Sequence, residues 1–141
     1  GIDGLLVVDL PPEECEVLRT PALAAGLDWI PLVAPTSDAP RLAAAASKAT
    51  SFIYGISVAG ETGAAHADLG RAAARAAAVR EATGKPVAVG FGVSARADVS
   101  AIAPHADAVV VGSAVVRAVA EGGEPALRAL VRDLRAGTPR P

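Results

Sequence analysis

Two neighbouring turns carry the residue types that hold an anion. Between Lys85 and Ser113 lie two apolar, β-branched runs, Pro86 to Val89 and Ala108 to Val111. The first ends in Gly90-Phe91-Gly92 and the second in Gly112-Ser113, and both lead straight into helical sequence. A strand that ends in glycine and feeds a helix leaves unpaired backbone N–H groups above the strand end, where an anion fits best. Two consecutive strand-turn-helix units of this kind place their turns side by side at one edge of a parallel sheet. Together they can close on one phosphate.

Other residues could join them. Gly60, Thr62 and Gly63 sit in VAGETGA, a loop of small residues that reads either as a mobile lid whose backbone helps hold the anion or as an ordinary connector. The glycines beside Phe91 let backbone approach a ligand closely while the ring offers an apolar wall; a core ring with two turn glycines is the plainer alternative. Ser113 can cap its helix and also donate to a phosphate oxygen, although capping alone would account for it. Tyr54, the one tyrosine, either points over a substrate or fills the core. Asp9, at the end of the first strand, is an acid, a base or a loop cap. His66 and His105 lack partners at metal-ligand spacing, which leaves them as solvated histidines and speaks against a metal site.

These positions need a scaffold. Five strands are expected at Leu5 to Leu10, Trp29 to Ala34, Phe52 to Ser57, Val87 to Gly90 and Ala108 to Val111. Helices are expected from about Glu13 to Ala25 with a break at Pro21, from a cap at Thr36 or Ser37 to Ala49, and from His66 to Thr83. Three more follow at Ala95 to Ala103, Ala114 to Ala120 and Pro125 to Ala136. Near-continuous apolar strands alternating with helices call for a parallel sheet covered on both faces, with right-handed crossovers. A dinucleotide fold would carry G-x-G-x-x-G after its first strand, where this chain has Asp9-Leu10-Pro11-Pro12. A phosphate held by two consecutive turns belongs instead after the last two strands of a (β/α)8 barrel, a fold of about 250 residues. The five strands then read as numbers four to eight of a TIM barrel, and residues 1–141 as the C-terminal part of that single domain.

Composition agrees with such a piece. Of 141 residues 52% are hydrophobic and 20% charged, enough apolar mass for a buried core. The net charge is −2 with Lys and Arg scattered, which disfavours nucleic acid and anionic membranes as partners. No apolar run approaches the roughly 20 residues of a membrane span. Cys15 is the one cysteine, so an internal disulfide is excluded; a structural thiol in a reducing compartment is the reading. The absence of methionine and a start at Gly1, a few residues before a strand, read as a fragment.

Four segments in order, GIDGLLVVDLPPEE, YGISVAGETGA, PVAVGFGVS and VVVGSAVV, resemble the tryptophan synthase α subunit over the whole chain. The resemblance implies a (β/α)8 barrel that cleaves indole-3-glycerol phosphate, by a retro-aldol step, to indole and glyceraldehyde 3-phosphate. It implies that Gly63, Gly92, Gly112 and Ser113 hold the substrate phosphate, that Phe91 and Tyr54 line the indole pocket, and that Thr62 lies in a lid loop. It implies catalytic carboxylates upstream of this span, no catalytic residue within it, and so binding without turnover by residues 1–141 alone. It further implies a cytoplasmic protein, no cofactor in this chain, and an α2β2 complex with a β subunit that carries pyridoxal phosphate. Val58 and Ala59 depart from polar residues common in relatives, which alters the hydrogen bonding expected of the lid. Indole-glycerol-phosphate synthase and phosphoribosylanthranilate isomerase are alternatives of the same barrel type, but none of the five strand ends carries the lysine expected of them. A non-catalytic, self-associating half-barrel is a third reading, since an open sheet leaves unpaired edges.

Overall fold

The computed structural model describes residues 1–56, 65–90 and 92–138, and the side chains of 65–69 are not among the described atoms. Its elements run β1 (Gly4–Leu5), α1 (Glu16–Ala24), β2 (Asp28–Trp29), β3 (Leu32–Val33), α2 (Ala39–Lys48), β4 (Ile53–Ile56), α3 (Ala65–Thr83), β5 (Val87–Gly90), α4 (Arg96–Ile102), β6 (Ala108–Val110) and α5 (Ser113–Arg135). Every strand pairing is parallel: β1 with β2, and then β3, β4, β5 and β6 in sequence order. Apart from β2 and β3, which follow each other directly, strands and helices alternate, as the apolar pattern requires.

The stretch expected as one strand from Trp29 to Ala34 is split, because Pro31 has no N–H to give to a ladder. Ile30 donates to Leu5, on the β1 side, whereas the Pro31 carbonyl accepts from Tyr54, on the β4 side. The chain thus changes partner at the proline. The first strand is shorter than Leu5 to Leu10, since Val8 and Asp9 already turn. Neither Thr36 nor Ser37 caps α2. Asp38 does, accepting from the Arg41 N–H at 3.0 Å with Pro40 in the first turn, while the Ser37 hydroxyl accepts from the Ala34 N–H. The last two expected helices follow each other without a loop, joined at Gly123 (φ 59°, ψ −151°) just before Pro125.

Alternation along the strands sorts the side chains into two layers. Val33, Ile53, Val87 and Val89 meet Leu42, Ala45, Ala76, Val79, Val99, Ile102 and Leu134 from the helices to form the main core. A smaller core of Cys15, Ala22 and Trp29 lies under α1. The other face of the sheet carries Leu32, Tyr54, Ala88 and Gly90.

Candidate functional site

Register brings the ends of β4, β5 and β6 level, with Ile56 opposite Gly90 and Gly90 opposite Val110. Whatever follows these three strands therefore opens on one edge of the sheet. The residues immediately after β4 and β5 include Thr62, Gly63 and Phe91, together with Val58, Ala59 and Gly60; all lie outside the described residues. Tyr54, Gly92, Gly112 and Ser113 are described.

Tyr54 belongs to the face away from the helices, and its ring leans along β5 toward the strand end. A Cβ built on Gly90 would collide with the Tyr54 hydroxyl, would lie 2.8 Å from its Cζ, and would approach the Val110 Cβ to 2.9 Å. Gly90 is glycine because the phenol occupies its side-chain space. Burial pushes the Tyr54 hydroxyl above its ordinary value of 10.0, so it stays a neutral donor. The ring is packed, and it is packed at the strand end.

Gly92 has φ 74°, a conformation that a residue with Cβ adopts only under strain, and this reverses the chain toward α4. What closes the turn is a residue absent from the expected site. Asp98, 7% exposed, accepts from the N–H groups of Ser94 and Ala95 at 2.9 Å each and from the Ser94 hydroxyl at 3.3 Å. Its carboxylate, three residues into the helix, reaches back as the acidic half of a capping box, satisfying two donors that would otherwise point outward. The signal in the sequence is S-A-R-A-D, an acidic residue at the third helical position.

The turn after β6 is different. Gly112 is the N-cap of α5 and has no side chain to cap with, and both it and Ser113 are exposed. The first helical bonds go from Val115 and Val116 to the Gly112 carbonyl, leaving the N–H groups of Ser113 and Ala114 without an intrahelical acceptor. These donors and the hydroxyl of Ser113 can receive an anion. Asp9 stands elsewhere, on a cavity of about 290 Å³ it shares with Pro11, Pro12, Glu13, Ser37 and Arg41 at the rim of β1 and β3. His105 is exposed.

A family model described as the tryptophan synthase alpha chain matches residues 1–136. The tryptophan synthase alpha chain of Halorhodospira halophila is 47% identical over 126 residues, covering 89% of this chain and 46% of its own length. Among solved structures, tryptophan synthase from M. tuberculosis in an aminoacrylate-bound form superposes with a TM-score of 0.82 at 38% identity, covering 97% of this chain and 51% of that one. The a2b2 tryptophan synthase complex from Pyrococcus furiosus matches with a TM-score of 0.78 at 33% identity, over 96% of this chain and 55% of that one. The chain spans about half the length of the relatives it matches.

Proposed function

This chain belongs to the tryptophan synthase alpha chain family, and from that premise we propose that the protein cleaves indole-3-glycerol phosphate to indole and glyceraldehyde 3-phosphate. Within residues 1–141 we assign binding. Gly92, Gly112 and Ser113, with Gly63, hold the phosphate; Tyr54 and Phe91 line the pocket for the indole ring; Thr62 belongs to the loop that closes over both.

The observation that carries this reading is the levelling of three strand ends under one phenol, with an uncapped helix N-terminus beside them. Such a place offers an apolar ring contact and backbone donors a few residues apart, which suits a substrate with a flat ring at one end and a phosphate at the other. The cleavage also needs a general acid for the ring carbon and a base for the hydroxyl. Asp98 is committed to its cap, and Asp9 lines the cavity after β1 and β3. The acid and base are therefore assigned to the part of the barrel that precedes this span in the longer relatives. The indole passes to a β subunit holding pyridoxal phosphate, in an α2β2 complex in the cytoplasm. No helix among the described residues is long and apolar enough to cross a membrane.

Steady-state assay of the full-length protein should detect indole released from indole-3-glycerol phosphate, and Gly112→Val should raise KM by about tenfold or more, a loss of about 1.4 kcal/mol, by filling the approach to the phosphate. Residues 1–141 alone should give no turnover. Absence of indole from the full-length protein, or an unchanged KM in Gly112→Val, overturns the assignment.

A further inference from the structure

The junction of α1 and α2 holds a nucleophile and an amine in contact. Lys48, the last residue of α2, places its Nζ 3.3 Å from the Sγ of Cys15, 3.3 Å from Glu16 Oε1, and 2.6 Å from the Pro12 carbonyl, to which it donates. Cys15 is 2% exposed, and Arg19 Nε donates to the Lys48 carbonyl at 3.2 Å, holding the pair from the other side. A cavity of about 40 Å³ opens on both groups, walled by Trp29, Leu10, Pro12 and Ala45. A cavity that holds one water molecule needs only about 10–15 Å³, so a small oxidant has room beside the sulfur. Burial alone would lower the lysine, but its hydrogen bonds to Cys15 and Glu16 outweigh that and keep the ammonium as its resting form.

We propose that Cys15 and Lys48 form an oxidative cross-link, a sulfenamide, when the protein meets hydrogen peroxide. The thiol passes its proton to the carboxylate of Glu16, whose Oε1 accepts from Sγ at 3.9 Å, and the sulfur attacks one peroxide oxygen. The O–O bond breaks, and the departing hydroxide takes a proton from the Lys48 ammonium and leaves as water. Sulfur, oxidised by two electrons, becomes sulfenic acid, and the same transfer turns Lys48 into a free amine. That amine attacks the sulfur, an S–N bond forms, the S–O bond breaks and a second water leaves. In total, thiol, ammonium and one peroxide give the S–N link, two waters and one proton, which Glu16 hands on to solvent. The link joins helix ends 33 residues apart in sequence and withdraws Lys48 from the Pro12 carbonyl, so it tightens α1 against α2 and releases the 8–13 loop that walls the larger cavity.

Purified protein treated with a small excess of hydrogen peroxide should lose about 2 Da, and its tryptic digest should show the peptide ending at Arg19 joined to one containing Lys48, both reversed by dithiothreitol. Lys48→Arg keeps the charge without a condensing amine; it should stop at sulfenic acid, captured by dimedone. Thermal melting checks that this variant is folded, and the wild-type peptide map decides the matter if it is not. An unreacted thiol, or sulfenic or sulfinic acid without a link in the wild type, overturns the proposal. So does a link that survives Lys48→Arg.

Discussion

The ends of β5 and β6 both read as a glycine turn with a serine, and they are built in opposite ways. At β5 the turn is finished from within: the Tyr54 phenol fills the space beside Gly90, and the Asp98 carboxylate takes the N–H groups of Ser94 and Ala95. At β6 the helix begins on Gly112 with no side-chain cap, and Ser113 is exposed. The start of α4 is capped by protein, which takes the donors of Ser94 and Ala95 and not the N–H of Gly92, whereas the start of α5 keeps its own donors for a ligand. A glycine-serine turn therefore marks a place where donors are available, and whether they remain so depends on a side chain three or four residues further on.

This contrast can be broken most forcefully at Asp98. Replacing a buried, triply hydrogen-bonded carboxylate by alanine leaves two donors unpaired, and Asp98→Ala should cost about 2–3 kcal/mol in denaturant unfolding. A neutral result would mean that the β5 turn holds itself without the carboxylate. Somewhat smaller is the cost at Gly90, where an added methyl group must displace the phenol and crowd Val110. Gly90→Ala should destabilise by about 1–3 kcal/mol, and Tyr54→Leu in the same chain should recover part of it by vacating the space. Additive losses in the double variant would show that the two residues do not compete for it.

At the open end the expectation inverts. Ser113→Ala should leave stability within about 0.5 kcal/mol of wild type, yet weaken binding of glycerol 3-phosphate by up to about tenfold in a calorimetric titration. Unaltered affinity would place the anion somewhere else. The smallest effect is in alkali. Burial raises Tyr54 above 10.0, so above that pH the unfolded chain gives up its phenolic proton before the folded one does, and stability falls as pH rises. Tyr54→Phe should flatten that limb of the stability curve; an equal fall in both proteins would show that the ring is not the group responsible.

Most of the scaffold was legible from local chemistry. Val87 to Gly90 and Ala108 to Val110 are strands where β-branched runs placed them; β5 is buried throughout, as a continuous apolar run bounded by glycine suggests, whereas β6, the last strand of its sheet, is exposed at Ala108 and Val110. Pro40 and Asp38 are equally local signals for the start of α2, and a carboxylate directly before Ala39-Pro40 outcompetes the hydroxyls of Thr36 and Ser37 as its cap. The strand break at Pro31 was less accessible, because it depends on β1 and β4 lying on opposite sides of the same segment.

Residue types and their order thus determined the alternation of strands and helices, the two glycine turns and the family, because these rest on side-chain shape, missing N–H groups and periodicity within a few neighbours. Folding alone settled that the Tyr54 hydroxyl stands in for a side chain on Gly90, 36 positions away, and that Cys15 meets Lys48 across two helices. It also settled which helix start keeps its donors. Contacts of that kind follow from strand register and helix packing, which join residues that no local rule connects.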